Sequence, residues 1–400
     1  MRIYGKLREN VMKQQVIDKF LDIYGGPEQG IKVYFAPGRV NLIGEHTDYN
    51  GGHVFPCAIT IGTYAAARKR PDGMFRFYSL NYPEAGVLEV PMEKLEYRQE
   101  DGWANYSKGV IDTFRKKNYP VRRGLDLFYY GEIPKGLGLG SSASLEVVTG
   151  LILRDMMEYT DVSMVDVSLF AQLTENEYIG NRCGIMDPFT SAMGKKGNAL
   201  LLDTSDLSYI YVPLKLSHER IIITNSKKAR VDVEAEYEKR REECETALRE
   251  LQQVISIRSL GELTAEVFEN VQEMIKDPVR IRRARHAVTE NQRTIQAAEA
   301  LEKGDIREFG QLMNASHLSL KEDYEVSCKE LDILVEEAWN IDGVLGSRMM
   351  GAGFGGCTVS IVEENAVNEF ITKVGENYKE RTGLTPEFYV VVTGNGASVL

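Results

Sequence analysis

Apolar residues at alternating and at helical spacing predict a strand-rich first half of the chain. In order, this half is predicted to hold a helix over 11–24, a strand through Val33 and Phe35 that ends at Pro37-Gly38, a hairpin about Asn50-Gly51-Gly52, a second strand pair joined at Pro71-Asp72-Gly73 with Phe75 and Phe77 on one face, a strand over 125–130 and a helix from about Ser142. Glycine, proline, asparagine and aspartate separate these runs and mark where the chain turns.

The second half differs in character, because charged helices replace most of the strands. In order, it is predicted to hold a strand at Ile221-Ile222-Ile223, a charged helix over 234–257, further helices through Ala300 and Ala338, and a closing strand, helix and strand over 357–362, 367–379 and 388–393. Strands first, then helices with a split strand–helix–strand unit, predict an α+β fold of two domains, 1–207 and 208–400.

Composition narrows the classes of function. The 400 residues carry 48 lysines and arginines against 59 aspartates and glutamates, so the net charge is −11 and a nucleic-acid partner is not expected. The five cysteines are scattered without a C-x-x-C pair, which predicts reduced thiols and neither disulfides nor zinc. The first residues resemble no secretory leader, and no apolar run reaches membrane length. We therefore expect a soluble, cytoplasmic protein without a membrane partner.

The candidate binding and catalytic residues lie in three glycine-rich stretches, 36–52, 134–146 and 350–362. The middle stretch lies between a predicted strand and a predicted helix. Glycine lets backbone N–H groups approach an anion, the helix N-terminus adds a positive dipole, and Ser141 and Ser142 add hydroxyls. This arrangement suits a phosphate cradle, and the alternative is a glycine-rich turn with a serine N-cap.

Other nucleotide-binding motifs do not occur. The sequence has no Walker G-x-x-x-x-G-K-[ST], no H-R-D or D-F-G and no G-x-S-x-G elbow. Gly351, Gly353 and Gly356 do form G-x-G-x-x-G, but the following CTVSIV predicts a strand, whereas a dinucleotide fingerprint opens a helix. Walker-type NTPases, protein kinases and dinucleotide enzymes are thereby excluded.

Taken together, the three stretches resemble the motifs of the galactokinase branch of the superfamily that also holds homoserine, mevalonate and phosphomevalonate kinases. Further segments match in the same order along nearly the whole chain: GRVNLIGEHTDYNGG (38–52), WANYSKGV (103–110), NRCGIMD (181–187), RRARHAVTEN (282–291), SHLSLKEDYEVSCKELD (316–332) and the closing GNGASVL. The resemblance implies ATP-dependent phosphorylation of the anomeric hydroxyl of α-D-galactose. It also implies a small-molecule kinase fold, with an N-terminal half like ribosomal-protein S5 domain 2 and a ferredoxin-like C-terminal half, acting as a monomer.

The resemblance also assigns roles to residues. Asp187 would accept or orient the proton of the sugar hydroxyl, and Arg39 would neutralise the moving phosphoryl group. The sugar contacts implied are Glu45, His46, Asp48, Gly184 and Tyr237. From the residues alone, the preferred interpretation of Asp187-Pro188 is a helix N-cap followed by proline at N1. On the same basis Arg39 would be a surface arginine, and Glu45, His46 and Asp48 a polar hairpin tip.

For the nucleotide, the resemblance implies ATP with Mg²⁺ as its cofactor. The residues matched to the ATP phosphates are Gly136, Gly138, Gly140, Ser141 and Ser142. Ser142 and Glu175 would hold Mg²⁺, although a solvated glutamate is the ordinary expectation for Glu175. Gly353 and Gly355 would let the third stretch pack close to the site.

Departures from the family pattern leave the identity of the sugar substrate undecided. Pro188 stands where a glutamine is usual, Gly140 where a serine is usual, Glu238 where an asparagine is usual, and Arg230 lies near the position of an expected histidine. Alternatives are therefore a kinase of the same fold that acts on another hexose or an amino sugar, and a galactose sensor without catalysis. The unbroken serine run and the presence of Asp187 and Arg39 argue against the sensor.

Overall fold

The computed structural model describes residues 2–134, 136–229 and 232–400. Within these residues the helices are α1 (Arg2–Tyr24), α2 (Ala104–Lys116), α3 (Ser141–Met156), α4 (Met164–Leu173), α5 (Met186–Met193), α6 (Val233–Leu251), α7 (Ala265–Val271), α8 (Pro278–Lys303), α9 (Ile306–Glu322), α10 (Lys329–Trp339) and α11 (Val367–Thr382). The strands are β1 (Lys32–Asn41), β2 (His53–Val54), β3 (Pro56–Lys69), β4 (Met74–Ser79), β5 (Leu88–Pro91), β6 (Leu125–Gly131), β7 (Asn198–Asp203), β8 (Tyr209–Pro213), β9 (Glu219–Asn225), β10 (Val344–Met350), β11 (Cys357–Glu363), β12 (Glu387–Val391) and β13 (Ser398–Val399).

A six-stranded sheet in the order β13-β1-β3-β6-β4-β5 forms the frame of the first half. Helices α2 and α3 cover one face of this sheet, and α1 packs on the other. The predicted hairpin is confirmed, since β1 and β3 are antiparallel with Asn41 opposite Pro56. The strand pair predicted about 71–73 is wrong, because β6 lies between β3 and β4 and pairs with β4 in parallel.

Strand β1 passes through the proline that was expected to end it. The register against β3 shifts between Pro37 and Arg39, and pairing resumes as far as Asn41. A bulge of this kind accommodates a residue that cannot donate to the ladder, and it bends the strand. It also lies directly before Arg39, one of the candidate catalytic residues.

The second half contains an antiparallel sheet in the order β10-β11-β9-β12, with α10 and α11 packed on one face. In chain order these four strands are the second, third, first and fourth of the unit, which is the strand order of a ferredoxin-like sheet. The glycine-rich stretch before β11 leads into a strand, as predicted. The division at residue 207 stays a prediction, since β8 pairs back with β7 and β13 pairs with β1. Among the described residues, no helix has the length and apolar character to cross a bilayer.

Candidate active site

A cleft of about 640 Å³ brings together most of the residues that the sequence singles out. They come from separate stretches of the chain and line the cleft together: Arg39, Glu45, His46, Asp48, Gly138, Ser142, Glu175, Gly184, Asp187 and Tyr237. Gly136, Gly140 and Ser141 are not part of this lining, and their nucleotide roles stay predictions.

Arg39 and Asp187 form a two-point ion pair in the cleft. The Arg39 Nε lies 2.7 Å from one carboxylate oxygen of Asp187, and Nη2 lies 2.8 Å from the other. The remaining guanidinium nitrogen donates to the carbonyl of Gly138, which connects the pair to the second glycine-rich stretch. The Arg39 side chain is 5% exposed, whereas that of Asp187 is 32% exposed. Asp187 is therefore fixed in orientation while part of its carboxylate remains accessible.

Helix α5 carries Asp187 in its first turn and does not use it as the cap. Ile185 is the N-cap residue, and the carboxylate of Asp187 binds Arg39 instead of the helix backbone. The first helical hydrogen bond runs from the Phe189 N–H to the Ile185 carbonyl at 3.0 Å. Pro188 precedes that bond, at a position where an N–H has no partner within the helix, so its missing donor costs nothing to α5.

The middle glycine-rich stretch, which connects β6 to α3, lies beside this pair and is called the phosphate loop after its predicted role. Leu137 and Leu139 are each 1% exposed and anchor the loop in the core. Gly138 and Gly140 alternate with them and take left-handed backbone angles, φ 67° and 74°. Gly140 is the N-cap of α3, and a β-carbon there would lie 3.4 Å from a carboxylate oxygen of Asp187. The N-terminus of α3 is therefore close to Asp187.

The buried loop over 42–55, which follows β1, is held by helix α8 of the second half. The backbone N–H groups of Gly44 and Glu45 donate to one carboxylate oxygen of Glu290, at 3.0 and 3.3 Å. The Nε2 of His286 lies 3.0 Å from the Glu45 carbonyl. Glu290 and His286 are both fully buried, so these contacts are shielded from water and fix the loop firmly.

Glu45 also forms a buried ion pair across the two halves. Nη2 of Arg348, on β10, lies 2.7 Å from the Glu45 Oε2, and Nη1 donates to the Asn41 carbonyl at 3.0 Å. The Glu45 side chain is 3% exposed and that of Arg348 is 0% exposed. Because Glu45 still lines the cleft, this pair couples the position of a candidate sugar contact to β10.

His46 lies in the left-handed region, φ 62°, among three tyrosines. Its Nδ1 is 2.7 Å from the Tyr49 hydroxyl, which is 2.8 Å from the Tyr324 hydroxyl, and the Tyr237 ring packs against it. Burial lowers the pKa of His46 to about 3, so the ring is neutral. Within the described residues its buried Nε2 has no hydrogen-bond partner, which leaves one nitrogen for a ligand in the cleft.

Asp48 and Gly184 pack directly against each other. A β-carbon at Gly184 would overlap the carboxylate of Asp48, so only glycine fits there. Burial, together with the negative charges of Asp187 and Glu45, raises the pKa of Asp48 to about 6. Asp48 is therefore ionised at neutral pH and becomes protonated in mildly acidic solution.

Ser142 and Glu175 form an acidic corner with a third residue, Glu146. The Glu175 side chain is 7% exposed and accepts a hydrogen bond from Asn181 at 3.2 Å. Burial raises the pKa of Glu175, and the Ser142 hydroxyl and the Asn181 amide partly offset this. Burial and the charge of Glu175 raise the pKa of Glu146 well above its usual range. Hydroxyl and carboxylate oxygens are ligands that Mg²⁺ prefers, so these side chains fit such an ion.

The third glycine-rich stretch reaches the cleft through residues other than those expected. Gly351 and Ala352 line the cleft. Gly353 lies instead against the backbone of Val326, where a β-carbon would overlap the Val326 carbonyl. The expectation for Gly355, which has φ 126°, stays a prediction.

Glu238, one of the departures from the family pattern, follows Tyr237 on α6. The carboxylate of Glu238 forms an ion pair with Arg182, which also lies 3.2 Å from Glu245. The charge of Glu238 is therefore neutralised within the protein. Arg230 lies outside the described residues.

Several residues that the sequence pattern does not single out take part in the site: Glu146, Tyr49, Tyr324, Glu290 and Arg348. Glu146 had a usable signal, because it follows Ser142 by four residues on one predicted helix. Arg348 is 303 residues from Glu45, and no local pattern could reveal that contact.

Comparison with known proteins places the chain in a class and then in a family. A model described as GHMP kinases N terminal domain matches residues 105–195, and one described as GHMP kinases C terminal matches residues 297–380. The fold and the cleft thus define a kinase of this small-molecule class. A third model, described as the galactokinase galactose-binding signature, matches residues 18–69.

Relatives at high identity complete the assignment. The chain is 53% identical over 365 residues to a galactokinase of Clostridium acetobutylicum, covering 91% of this chain and 94% of that one. It is 49% identical over 388 residues to a galactokinase of Ligilactobacillus salivarius, covering 97% and 100%. The chain belongs to the galactokinase family, and it is a sugar kinase, a phosphotransferase with ATP as substrate.

Solved structures agree with the fold. A crystal structure of Lactococcus lactis galactokinase complexed with galactose superposes with a TM-score of 0.94 at 43% identity, covering 97% of this chain and 99% of that one. The mevalonate kinase of Methanococcus jannaschii has a TM-score of 0.65 at 18% identity, covering 92% and 100%, and is similar in fold. The expected α+β small-molecule kinase fold is confirmed.

Proposed function

We propose that the protein transfers the γ-phosphoryl group of ATP to the anomeric hydroxyl of α-D-galactose, giving galactose 1-phosphate and ADP. The observation that carries the proposal is the two-point Arg39–Asp187 pair, which lies beside both the phosphate loop and the buried polar loop over 42–55. The galactose bound to the Lactococcus lactis relative and the galactose-binding signature support galactose as the acceptor.

In this reaction Asp187 orients the sugar hydroxyl and accepts its proton. The hydroxyl oxygen bonds to the γ-phosphorus, and the bond from that phosphorus to the β–γ bridging oxygen breaks, so that ADP leaves. Arg39 holds Asp187 at both oxygens and adds positive charge near the transferred group. Positioning and charge neutralisation supply most of the catalysis in phosphoryl transfer.

Polar groups on the loop over 42–55 select the sugar. Glu45 and Asp48 accept hydrogen bonds from sugar hydroxyls, and the unpartnered Nε2 of His46 makes a further one. Gly184 contributes its backbone N–H, and Tyr237 contributes its hydroxyl. These five residues all line one cleft.

ATP binds at the phosphate loop with a magnesium ion. Its phosphates are held by backbone and hydroxyl groups of Gly136, Gly138, Gly140, Ser141 and Ser142. Ser142 and Glu175 hold Mg²⁺, which neutralises phosphate charge when bound. We propose that the protein acts as a monomer in the cytoplasm, where ATP is available.

The test is ADP release with ATP and Mg²⁺ across galactose, glucose, galactosamine, N-acetylgalactosamine and arabinose. We expect the highest kcat/KM on galactose. A higher kcat/KM on another sugar would mean that the protein is a kinase of that sugar instead of galactose. Turnover on none of the sugars would favour a galactose sensor without catalysis.

A matched pair of variants connects the panel to the cleft. Glu45→Gln removes a buried carboxylate of the proposed sugar site. Glu89→Gln makes the same chemical change at an exposed carboxylate on β5, outside the cleft lining. We expect the first to raise the KM for galactose and the second to leave it unchanged.

A further inference from the structure

Glu146 is a buried carboxylate that nothing in the proposed reaction yet uses. Its side chain is 0% exposed, and within the described residues neither carboxyl oxygen has a hydrogen-bond partner. It nevertheless lines the cleft. An ionisable group in this state is costly, so a partner absent from the polypeptide is a physical expectation.

The placement of Glu146 indicates what that partner is. Glu146 and Ser142 are four residues apart on α3, and residues at this spacing lie on one face of a helix. Glu175 approaches the same point from the π-helical turn Thr174–Ile179, close enough for its charge to act on Glu146. The three side chains therefore surround one small region next to the phosphate loop.

The charge of the whole cleft points the same way. Among the described residues, the cleft is lined by two arginines, Arg39 and Arg182, and by seven carboxylates, Glu45, Asp48, Glu146, Glu175, Asp187, Glu234 and Glu238. Asp187 and Glu238 are bound to those arginines, and Glu45 is bound to Arg348. Of the four others, Asp48 belongs to the loop over 42–55 and Glu234 is exposed to solvent. Glu146 and Glu175 remain near Ser142, where nucleotide phosphates would add more negative charge.

We propose that Glu146 is a positioning residue for the nucleotide-bound Mg²⁺. Its carboxylate lies one helical turn after Ser142 on α3, where it supplies negative charge and accepts hydrogen bonds from the water ligands of the ion. The inference rests on the proposed function, which places Mg²⁺ at Ser142 and Glu175. The described residues form no cage of three or more metal-type side chains, so the ion's other ligands are phosphate oxygens and water. Mg²⁺ in nucleotide sites commonly keeps several waters, whose protons need acceptors of this kind.

The test measures metal binding separately from turnover. Mn²⁺ replaces Mg²⁺, and its binding to the protein–ADP complex is followed by the loss of the free-ion EPR signal. We expect Glu146→Gln, which keeps the shape of the side chain, to weaken Mn²⁺ binding about 10–100-fold. Glu146→Asp, which keeps the charge, is expected to recover part of the affinity. Glu89→Gln is the control, because Glu89 is an exposed carboxylate on β5 outside the cleft lining, and its loss should leave Mn²⁺ binding unchanged.

A second measurement separates metal positioning from a structural role. ADP affinity in EDTA, without metal, is expected to be the same in Glu146→Gln and in the parent protein. A parallel loss of metal-free ADP affinity would overturn the inference, since it would show a distorted phosphate loop. Unchanged Mn²⁺ affinity would overturn it as well, and would leave Glu146 as a buried neutral acid.

Glu175→Gln distinguishes this inference from the function on which it rests. If Glu175→Gln weakens Mn²⁺ binding and Glu146→Gln does not, the inference fails and the proposed magnesium site stands. If neither variant weakens it, the proposed magnesium site fails too. Weakening by both supports the two proposals together.

Discussion

The buried pair of Glu45 and Arg348 gives a prediction that rests on charge burial alone. Replacing Arg348 with methionine removes the cation and leaves the Glu45 carboxylate 3% exposed without its partner at 2.7 Å. Breaking a fully buried ion pair in this way costs about 3–5 kcal/mol. We therefore expect Arg348→Met to lower the free energy of unfolding by about that amount, measured by urea denaturation without sugar or nucleotide.

A surface ion pair serves as the control for the buried one, and a double variant measures the interaction between Glu45 and Arg348. Arg381 pairs with Glu336 and Glu337 at the surface, where its side chain is 41% exposed, and Arg381→Met should cost about 0–1 kcal/mol. Glu45→Gln combined with Arg348→Met removes both charges, so its loss should be smaller than the sum of the two single losses.

A loss from Arg348→Met no larger than that from Arg381→Met would refute the argument. So would strict additivity in the double variant, because it would show that the two side chains do not interact. Either result would mean that water reaches the Glu45 carboxylate in solution.

Three further outcomes follow from the cleft. Asp187→Asn should lower kcat about 10²–10⁴-fold while ATP affinity measured by calorimetry stays within twofold, and near-normal turnover would remove Asp187 from the mechanism. Because the pKa of Asp48 is raised to about 6 and its ionised form is the stronger acceptor, galactose affinity should fall as the pH drops through that value; a calorimetric series from pH 5 to 8 tests this, and a flat series would contradict it. Gly184→Ala should weaken galactose binding through overlap with Asp48, whereas Gly73→Ala, with room for a β-carbon, should not.

Local pattern predicted most individual elements of the fold. The spacing of apolar residues placed α3, α11, β9 and β11 within a few residues of their observed bounds. Helix α11 buries one face, whereas α3, β9 and β11 are nearly continuous buried runs. Strand order was not accessible in the same way. The insertion of β6 between β3 and β4 depends on which edges pair in three dimensions, and turn residues at 71–73 specify a reversal without specifying a neighbour.

The candidate site divides similarly. The glycine-rich stretches and the matched segments single out Arg39 and Asp187, because both residues lie within short motifs that can be read directly from the sequence. The cap at Ile185 and the contact of Gly353 with Val326 follow from packing, and no motif in the sequence encodes them.

The two halves of the chain therefore contribute different things to the site. Arg39, on β1, and Asp187, on α5, both belong to the first half and meet without help from the second. The loop over 42–55 is held differently, because Glu290 and His286 of α8 bind its backbone and Arg348 of β10 binds Glu45. Under the proposed function, the chemistry of phosphoryl transfer is built into one half, and the position of the sugar depends on contacts with the other. A sequence can then identify the reaction from its loops while the choice of sugar remains a property of the assembled fold.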